Sequence, residues 1–126
     1  MTKLGSATPV LRIFDEDKAQ EFYIDFLGFS IDWQHRFGEN FPVYMQVSKG
    51  DCLLNLTGHH GDCCPGSAVY IATEGVEDYC QSLLDKDYKH AKPGVQETEW
   101  GTRDMSIKDP FGNRLTFSER LADNKS

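Results

Sequence analysis

The amino-acid sequence predicts an α+β fold made of two paired βαβββ modules. Its 126 residues fit one domain, because single domains typically contain about 100–150 residues. In both halves the hydrophobic pattern predicts a strand, a helix and then two or three strands. We place the first module at about residues 7–57, a linking loop at 58–66 and the second module at about 67–119. Joined, the modules would form a curved mixed sheet with a concave groove inside and helices outside; an ordinary α+β sandwich is the alternative.

The first module begins with a β-like segment, Thr8 to Phe14, in which Pro9 lies near the start, where proline is tolerated. Asp15 suits the N-cap of a helix. Apolar residues then recur at spacings of three and four from Ala19 to Leu27, which predicts a one-sided helix that ends at Gly28. Three strands are predicted to follow, at Phe29 to Arg36, Phe41 to Ser48 and Cys52 to Thr57.

The second module repeats this order after the linking loop, whose glycines and proline predict irregular structure. A β-like segment, Ser67 to Thr73, precedes a helix predicted at Val76 to Lys86. The remaining predicted segments are a short extended stretch at Tyr88 to Ala91 and two strands, Arg103 to Lys108 and Asn113 to Ser118.

Composition limits the classes of function. The chain has 13 Lys and Arg against 20 Asp and Glu, a net charge of −7, so we expect no nucleic-acid partner and an attraction for cationic small molecules. An apolar fraction of 39% excludes intrinsic disorder. No apolar run approaches the roughly 18 residues of a membrane span, which predicts no membrane partner. The first residues lack the apolar segment of a signal peptide, so we expect a cytoplasmic protein with reduced cysteines.

Short motifs in both modules carry a family resemblance. The first module contains Ala7-Thr8-Pro9-Val10-Leu11, Asp15, Phe22-Tyr23 and Leu27-Gly28-Phe29. The second contains Trp100-Gly101 and Asp109-Pro110-Phe111-Gly112-Asn113-Arg114. Together these motifs resemble the vicinal oxygen chelate superfamily, also called the glyoxalase/bleomycin resistance family, over almost the whole chain. Within it the chain is most similar to the bleomycin resistance proteins, which implies the paired-module fold.

The resemblance also indicates where a metal would bind. Enzymes of this superfamily hold a divalent metal with four residues on four strands, and the matching positions here are Thr8, Asn55, Ala68 and Thr116. None of the four supplies the imidazole or carboxylate that such a metal prefers. We therefore expect no metal, no cofactor and no enzymatic activity, as the resemblance to the bleomycin resistance branch also implies.

The linking loop is rich in side chains that can bind metals: His59, His60, Asp62, Cys63 and Cys64. They are nearly contiguous and lack the paired spacing of a zinc site. We favour a loop that gates or supports a ligand site over a metal site. His59, His60 and Asp62 are its candidate ligand contacts.

Aromatic residues near strand ends and turn glycines are the other candidates for ligand binding. Aromatic faces stack on planar rings and on cations. The candidates are Trp33, Phe37, Phe41 and Trp100. For Phe41 a core position is an equal alternative. Nearby acidic residues form either an acidic rim for a cationic ligand or an ordinary solvated surface; they are Glu39, Asp62, Glu97 and Glu99.

The resemblance implies that the protein binds and sequesters a bleomycin-type glycopeptide antibiotic without chemistry and so confers resistance. The expected ligand is cationic and carries planar rings, and it would bind between the subunits of a homodimer. Two alternatives stay open. One is a metal-dependent glyoxalase- or dioxygenase-like enzyme with non-standard ligands such as His35, His59 or His60. The other is a protein that binds an unrelated small metabolite.

Overall fold

The computed structural model describes residues 1–36 and 38–121, so the predicted ligand-binding residue Phe37 lies outside the described part. The α+β prediction is confirmed. The elements of the first module are β1 (Val10–Arg12), α1 (Glu16–Gln20) with a π-helical continuation (Glu21–Phe26), β2 (Ser30–Arg36), β3 (Val43–Lys49) and β4 (Cys52–Thr57). Those of the second are β5 (Ala68–Ala72), α2 (Val76–Asp85), β6 (Val95–Glu97), β7 (Thr102–Lys108) and β8 (Arg114–Arg120).

Within the described residues the strands form two four-stranded sheets of the same topology. The first sheet has the order β1-β4-β3-β2 and the second β5-β8-β7-β6. In each sheet the first strand of the module is parallel to the last one, and the other neighbours are antiparallel. This repetition confirms the paired βαβββ prediction. The strands of the two modules form two separate mixed sheets, rather than the single curved sheet expected from the sequence.

The first helix begins as the sequence predicts, because the Asp15 carboxylate accepts a hydrogen bond from the Lys18 backbone N at 3.0 Å. From Glu21 the helix widens into a π-helical segment, in which Leu27 N donates to Phe22 O at 2.9 Å. The sequence pattern did not distinguish this segment from a regular α-helix. Gly28 then ends the helix with a φ of +87°.

The second helix obtains its N-terminal cap from a distant strand. Gly75 precedes the helix and has no side chain that can cap it. Instead, a carboxylate oxygen of Glu119 on β8 accepts from the Val76 backbone N at 3.0 Å. The backbone hydrogen bonds from Val76 and Gly75 lower the pKa of Glu119 below its ordinary value. The charge of Glu119 therefore lies at the positive end of the α2 dipole.

The hydrophobic core lies between the helices and one face of each sheet. Along β3 the buried residues Val43, Met45 and Val47 alternate with more exposed polar ones, as expected for a sheet covered on one side. Phe22, Tyr23 and Phe26 of the first helix, Leu83 of α2 and Met105 of β7 belong to the same core. The opposite face of each sheet is left uncovered by the helices of its own module. None of the described helices is long and apolar enough to span a membrane.

The Asp-Pro-Phe-Gly-Asn turn fastens the second module to the first. Asp109 Oδ1 accepts from the backbone N atoms of Phe111 and Asn113 at 2.8 and 2.9 Å, which fixes the turn. Asp109 Oδ2 accepts from Tyr23 Oη at 2.6 Å and from Asn113 Nδ2 at 2.8 Å. Asn113 Nδ2 also donates to the Arg12 carbonyl at 2.9 Å. We call Tyr23, Asp109 and Asn113 the inter-module cluster; it fixes how the modules meet.

One local prediction for the second module is wrong, and one strand of this module was not predicted. Residues Tyr88 to Ala91 do not form an extended segment but a turn. The Tyr88 ring stacks on Phe26 with centroids 4.6 Å apart. The sequence analysis also missed β6. This strand has only three residues, Val95–Glu97, and it pairs with β7 alone.

Candidate functional site

The uncovered face of the first sheet brings several predicted ligand-binding residues and their neighbours together. Strand register defines it, since paired residues of adjacent strands share a face. Trp33 pairs with Gln46, and Gln46 pairs with Asn55. One register step away, His35 pairs with Tyr44, and Tyr44 pairs with Thr57. We call this surface the open face. Its residues on β1 to β4 are Val10, Arg12, Asp32, Trp33, His35, Tyr44, Gln46, Ser48, Asn55 and Thr57.

A β-bulge places Trp33 on the open face. Ile31 packs toward the core, and strict alternation from Ile31 would turn Trp33 toward the helices. The register of β2 against β3 shifts between Ile31 and Trp33, so Asp32 and Trp33 both point away from the core. Trp33 is 44% exposed. Its ring is parallel to that of Tyr44, with 7° between the planes and 5.9 Å between the centroids.

Asp32 lies on the open face beside this ring pair, a residue that the sequence analysis did not single out. Its Oδ2 accepts from Gln46 Nε2 at 3.0 Å and its Oδ1 from Ser48 Oγ at 2.9 Å. Both donors are side chains of β3. Alternation from Ile31 was the available signal, because it places Asp32 on the outward face.

Asn55 lies at the centre of the open face on β4. Its Nδ2 donates to Tyr44 Oη at 3.3 Å. Its Oδ1 is buried and has no hydrogen-bond partner among the described residues. Buried carboxamide oxygens are normally paired, so this oxygen is an unused acceptor next to the aromatic pair.

The linking loop closes one end of the open face. Thr57 Oγ1 donates to Asp62 Oδ2 at 2.7 Å and accepts from the His59 backbone N at 3.0 Å. These bonds place the loop residues His59 and Asp62 against β4. His60 is exposed in the turn that follows. Chiefly through burial, and also through Asp62, the pKa of the Cys63 thiol is raised from 9.0, which disfavours a reactive thiolate at neutral pH.

Two other predicted contacts lie outside the centre of the open face. Phe41 is in the turn before β3 and is 53% exposed, so it is not a core residue. Its carbonyl accepts from Arg36 Nη1 at 3.1 Å. Trp100 is 70% exposed in the turn between β6 and β7, which belong to the second sheet. The structure therefore places Trp33 and Trp100 on different sheets.

Two of the four positions that match the metal ligands of the superfamily's enzymes form side-chain hydrogen bonds within the protein. Asn55 faces Tyr44, and Thr116 on β8 shares a hydrogen bond of 2.8 Å with Ser106 Oγ. Among residues 1–36 and 38–121, no group of three or more His, Cys, Asp or Glu side chains is arranged to hold a metal ion.

A larger groove, about 1290 Å³ in volume, lies elsewhere, between the β3–β4 turn and β5. Thr8, Leu53, Ala68 and Tyr70 are among its lining residues. None of the described residues that the sequence analysis selected for ligand binding lines it. This groove also has aromatic and polar lining residues, including Tyr70, Tyr79 and Glu74. The open face, in contrast, brings the predicted residue Trp33 together with Tyr44, Asp32 and Asn55. We therefore take the open face as the candidate site.

Comparison with known families matches residues 2–124 to the family described as glyoxalase superfamily protein. Bleomycin resistance proteins of Geobacillus stearothermophilus and Staphylococcus aureus are each 23% identical to this chain, over 90% of it and 95% of their own length.

Solved structures with the same fold include two antibiotic-binding proteins. TnmS3, an antibiotic-binding protein from Streptomyces sp. CB03234, superposes with a TM-score of 0.73 at 23% identity, covering 95% of this chain and 98% of that one. A bleomycin-binding protein from bleomycin-producing Streptomyces verticillus, solved with copper(II)-bleomycin, has a TM-score of 0.71 at 26% identity, covering 93% and 97%.

Proposed function

This chain belongs to the glyoxalase superfamily, and from that premise we propose that it binds a bleomycin-type glycopeptide antibiotic and sequesters it without chemistry. The observation that carries the proposal is the exposed Trp33–Tyr44 ring pair on the open face, with the Asp32 carboxylate beside it. Parallel aromatic rings offer a stacking surface for planar heterocycles, and the carboxylate favours a cationic ligand.

Two further observations support binding rather than catalysis. The relatives named above are bleomycin resistance and antibiotic-binding proteins. In addition, the four positions matched to the metal ligands of the enzymes hold Thr8, Asn55, Ala68 and Thr116. The net charge of −7 would raise the local concentration of a cationic drug and speed its capture.

The proposal includes a cytoplasmic homodimer. Within one protomer Trp33 lies on a strand of the first sheet, and Trp100 lies in a turn between two strands of the second. A second copy that placed its Trp100 opposite the open face would bring both aromatic side chains to one ligand. Phe41, His59, His60 and Asp62 would then contact the ligand from the turn and the loop at the edge of the face.

The test is calorimetric titration with bleomycin, both metal-free and loaded with copper(II). We expect binding by the wild-type protein, and we expect Trp33→Ala to weaken it by about 1–3 kcal/mol, the scale for a lost stacked ring. Leu84→Ala is the matched control, because Leu84 is an exposed apolar residue on α2, away from the open face. Mass spectrometry should recover the drug unchanged. The absence of binding heat at high micromolar drug would refute the proposal, and a modified drug would indicate an enzyme.

A further inference from the structure

Side-chain hydrogen bonds surround the Trp33–Tyr44 ring pair. Two side chains of β3 donate to the same carboxylate: Gln46 Nε2 and Ser48 Oγ both donate to Asp32. Asn55 Nδ2 donates to Tyr44 Oη. The Tyr44 hydroxyl accepts this bond and keeps its own proton. The acceptors that this part of the open face offers a ligand are the Asp32 carboxylate and Asn55 Oδ1.

These two acceptors differ in character. The Asp32 carboxylate is exposed at the strand bulge and is held in place by its two β3 donors. The Asn55 Oδ1 atom is buried and lacks a partner in the described structure. An acceptor buried without a donor destabilises the unliganded protein, and a ligand that brings an N–H group removes this cost.

Arg12 is the arginine among the open-face residues, and its guanidinium is directed at an aromatic ring. The Arg12 guanidinium lies over the Phe14 ring, 4.6 Å from its centroid. Arg36 pairs with the core residue Val43 in the strand register, so it lies on the helical side, where it is paired with Glu16. The charge next to the ring pair is therefore that of Asp32.

We propose that Asp32, Asn55 and the Trp33–Tyr44 ring pair form one subsite that selects a planar aromatic cation carrying N–H donors, such as a protonated amino-heterocycle. The inference rests on the proposed function and specifies which part of the ligand this face accepts. Trp33 stacks on the ring, Asp32 pairs with its positive charge, and Asn55 Oδ1 accepts one of its N–H groups.

Three acridines separate these contributions by calorimetry. 9-Aminoacridine is a planar cation with N–H donors, 10-methylacridinium is a planar cation without them, and acridine-9-carboxylate is an anion. We expect the affinity of the wild-type protein to be highest for 9-aminoacridine, lower for 10-methylacridinium and lowest for acridine-9-carboxylate. Asp32→Asn should weaken both cations by about fivefold, and it should not weaken the anion. Asp25→Asn is the control, because it removes one exposed carboxylate from the helical side.

Substitution of Asn55 tests separately whether its Oδ1 accepts a ligand N–H group. Asn55→Leu should weaken 9-aminoacridine by about fivefold, the value of one hydrogen bond, and leave 10-methylacridinium unchanged. The same substitution should raise the Tm of the unliganded protein, since it removes the unpaired oxygen. If the leucine variant does not fold, Asn55→Ala gives the same comparison of the two cations.

Each outcome bears on the inference. Equal affinity of the wild-type protein for the two cations would overturn the role of Asn55, and equal effects of Asp32→Asn and Asp25→Asn would overturn the role of Asp32. If bleomycin binds but no acridine does, the subsite is wrong and the proposed function stands. If the acridines bind in the expected order and bleomycin does not bind, the subsite stands and the proposed drug is wrong.

Discussion

Replacing Tyr23 by Phe tests whether the inter-module cluster stabilises the fold. The substitution removes one hydroxyl and keeps the ring, which is fully buried beside Phe22. Asp109 loses its 2.6 Å hydrogen bond from Tyr23 Oη, but it keeps the donors of the turn and of Asn113 Nδ2. The carboxylate is therefore less well paired without becoming isolated.

The magnitude follows from the type of bond. A hydrogen bond to a charged group contributes about 1.5–3 kcal/mol, so we expect Tyr23→Phe to lower the free energy of unfolding by about 2 kcal/mol. For 126 residues the unfolding entropy is about 0.26 kcal/mol per kelvin, which converts this loss into a fall in Tm of about 8 °C. Urea denaturation and thermal unfolding followed by circular dichroism measure the two values.

Tyr88→Phe is the matched control. The Tyr88 ring packs on Phe22 and Phe26 in the same aromatic cluster, and none of the described hydrogen bonds uses its hydroxyl. We expect it to change stability by less than about 0.5 kcal/mol. Equal losses in the two variants would refute the reasoning, because the effect would then come from tyrosine hydroxyls in general. A double-mutant cycle with Asp109→Asn should show a coupling of about 1 kcal/mol or more.

Four further outcomes are expected. Burial, together with Asp109 at Tyr23, raises the pKa of Tyr23 and Tyr79 above 10.0. The unfolded chain therefore loses these protons first, and the free energy of unfolding should fall as pH rises above about 10, less so in Tyr23→Phe; urea denaturation from pH 7 to 11 measures this. Trp100→Ala should keep the Tm, since Trp100 is exposed, but weaken bleomycin binding by about 1–3 kcal/mol; a variant that unfolds would show a core role. Elemental analysis should find no stoichiometric divalent metal, and about one zinc, nickel or iron per chain would contradict this. Sedimentation at micromolar concentration should give a dimer, whereas a 14.3 kDa species alone would exclude a site shared by two copies.

Local pattern predicted most of the fold, because most elements bury one face and end at recognisable residues. The spacing of apolar residues located both helices, and Asp15 and Gly28 marked the ends of the first one. The same approach missed β6, since three residues carry too little pattern and the pairing with β7 defines the strand. It also misassigned Tyr88, whose position depends on aromatic partners more than sixty residues earlier.

The candidate site was less accessible from sequence because non-local contacts define it. Trp33 was predicted as a ligand contact because it is aromatic. The face of the sheet toward which its side chain points depends on the β-bulge between β2 and β3. Asp32 becomes part of the site through donors 14 and 16 residues away. That Asn55 Oδ1 lacks a donor cannot be predicted from sequence, because it depends on the position of Tyr44 on the neighbouring strand. No local periodicity contains this information.

Position 55 bears on both candidate roles of the site, metal binding and recognition of a cationic ligand. It matches one at which the superfamily's enzymes place a metal ligand, and here Asn55 projects onto the open face from the middle of β4. A carboxamide cannot replace the charge of a carboxylate toward a divalent ion, yet its Oδ1 is an acceptor without a donor among the described residues. The Asn55→Asp variant separates these roles. A carboxylate there should strengthen binding of 9-aminoacridine, because it adds charge to the acceptor, and it should not create metal affinity while Thr8, Ala68 and Thr116 remain. Metal binding by that variant would show that one carboxylate at position 55 is enough to hold a metal, whereas stronger binding of the cation alone would assign this position to ligand recognition.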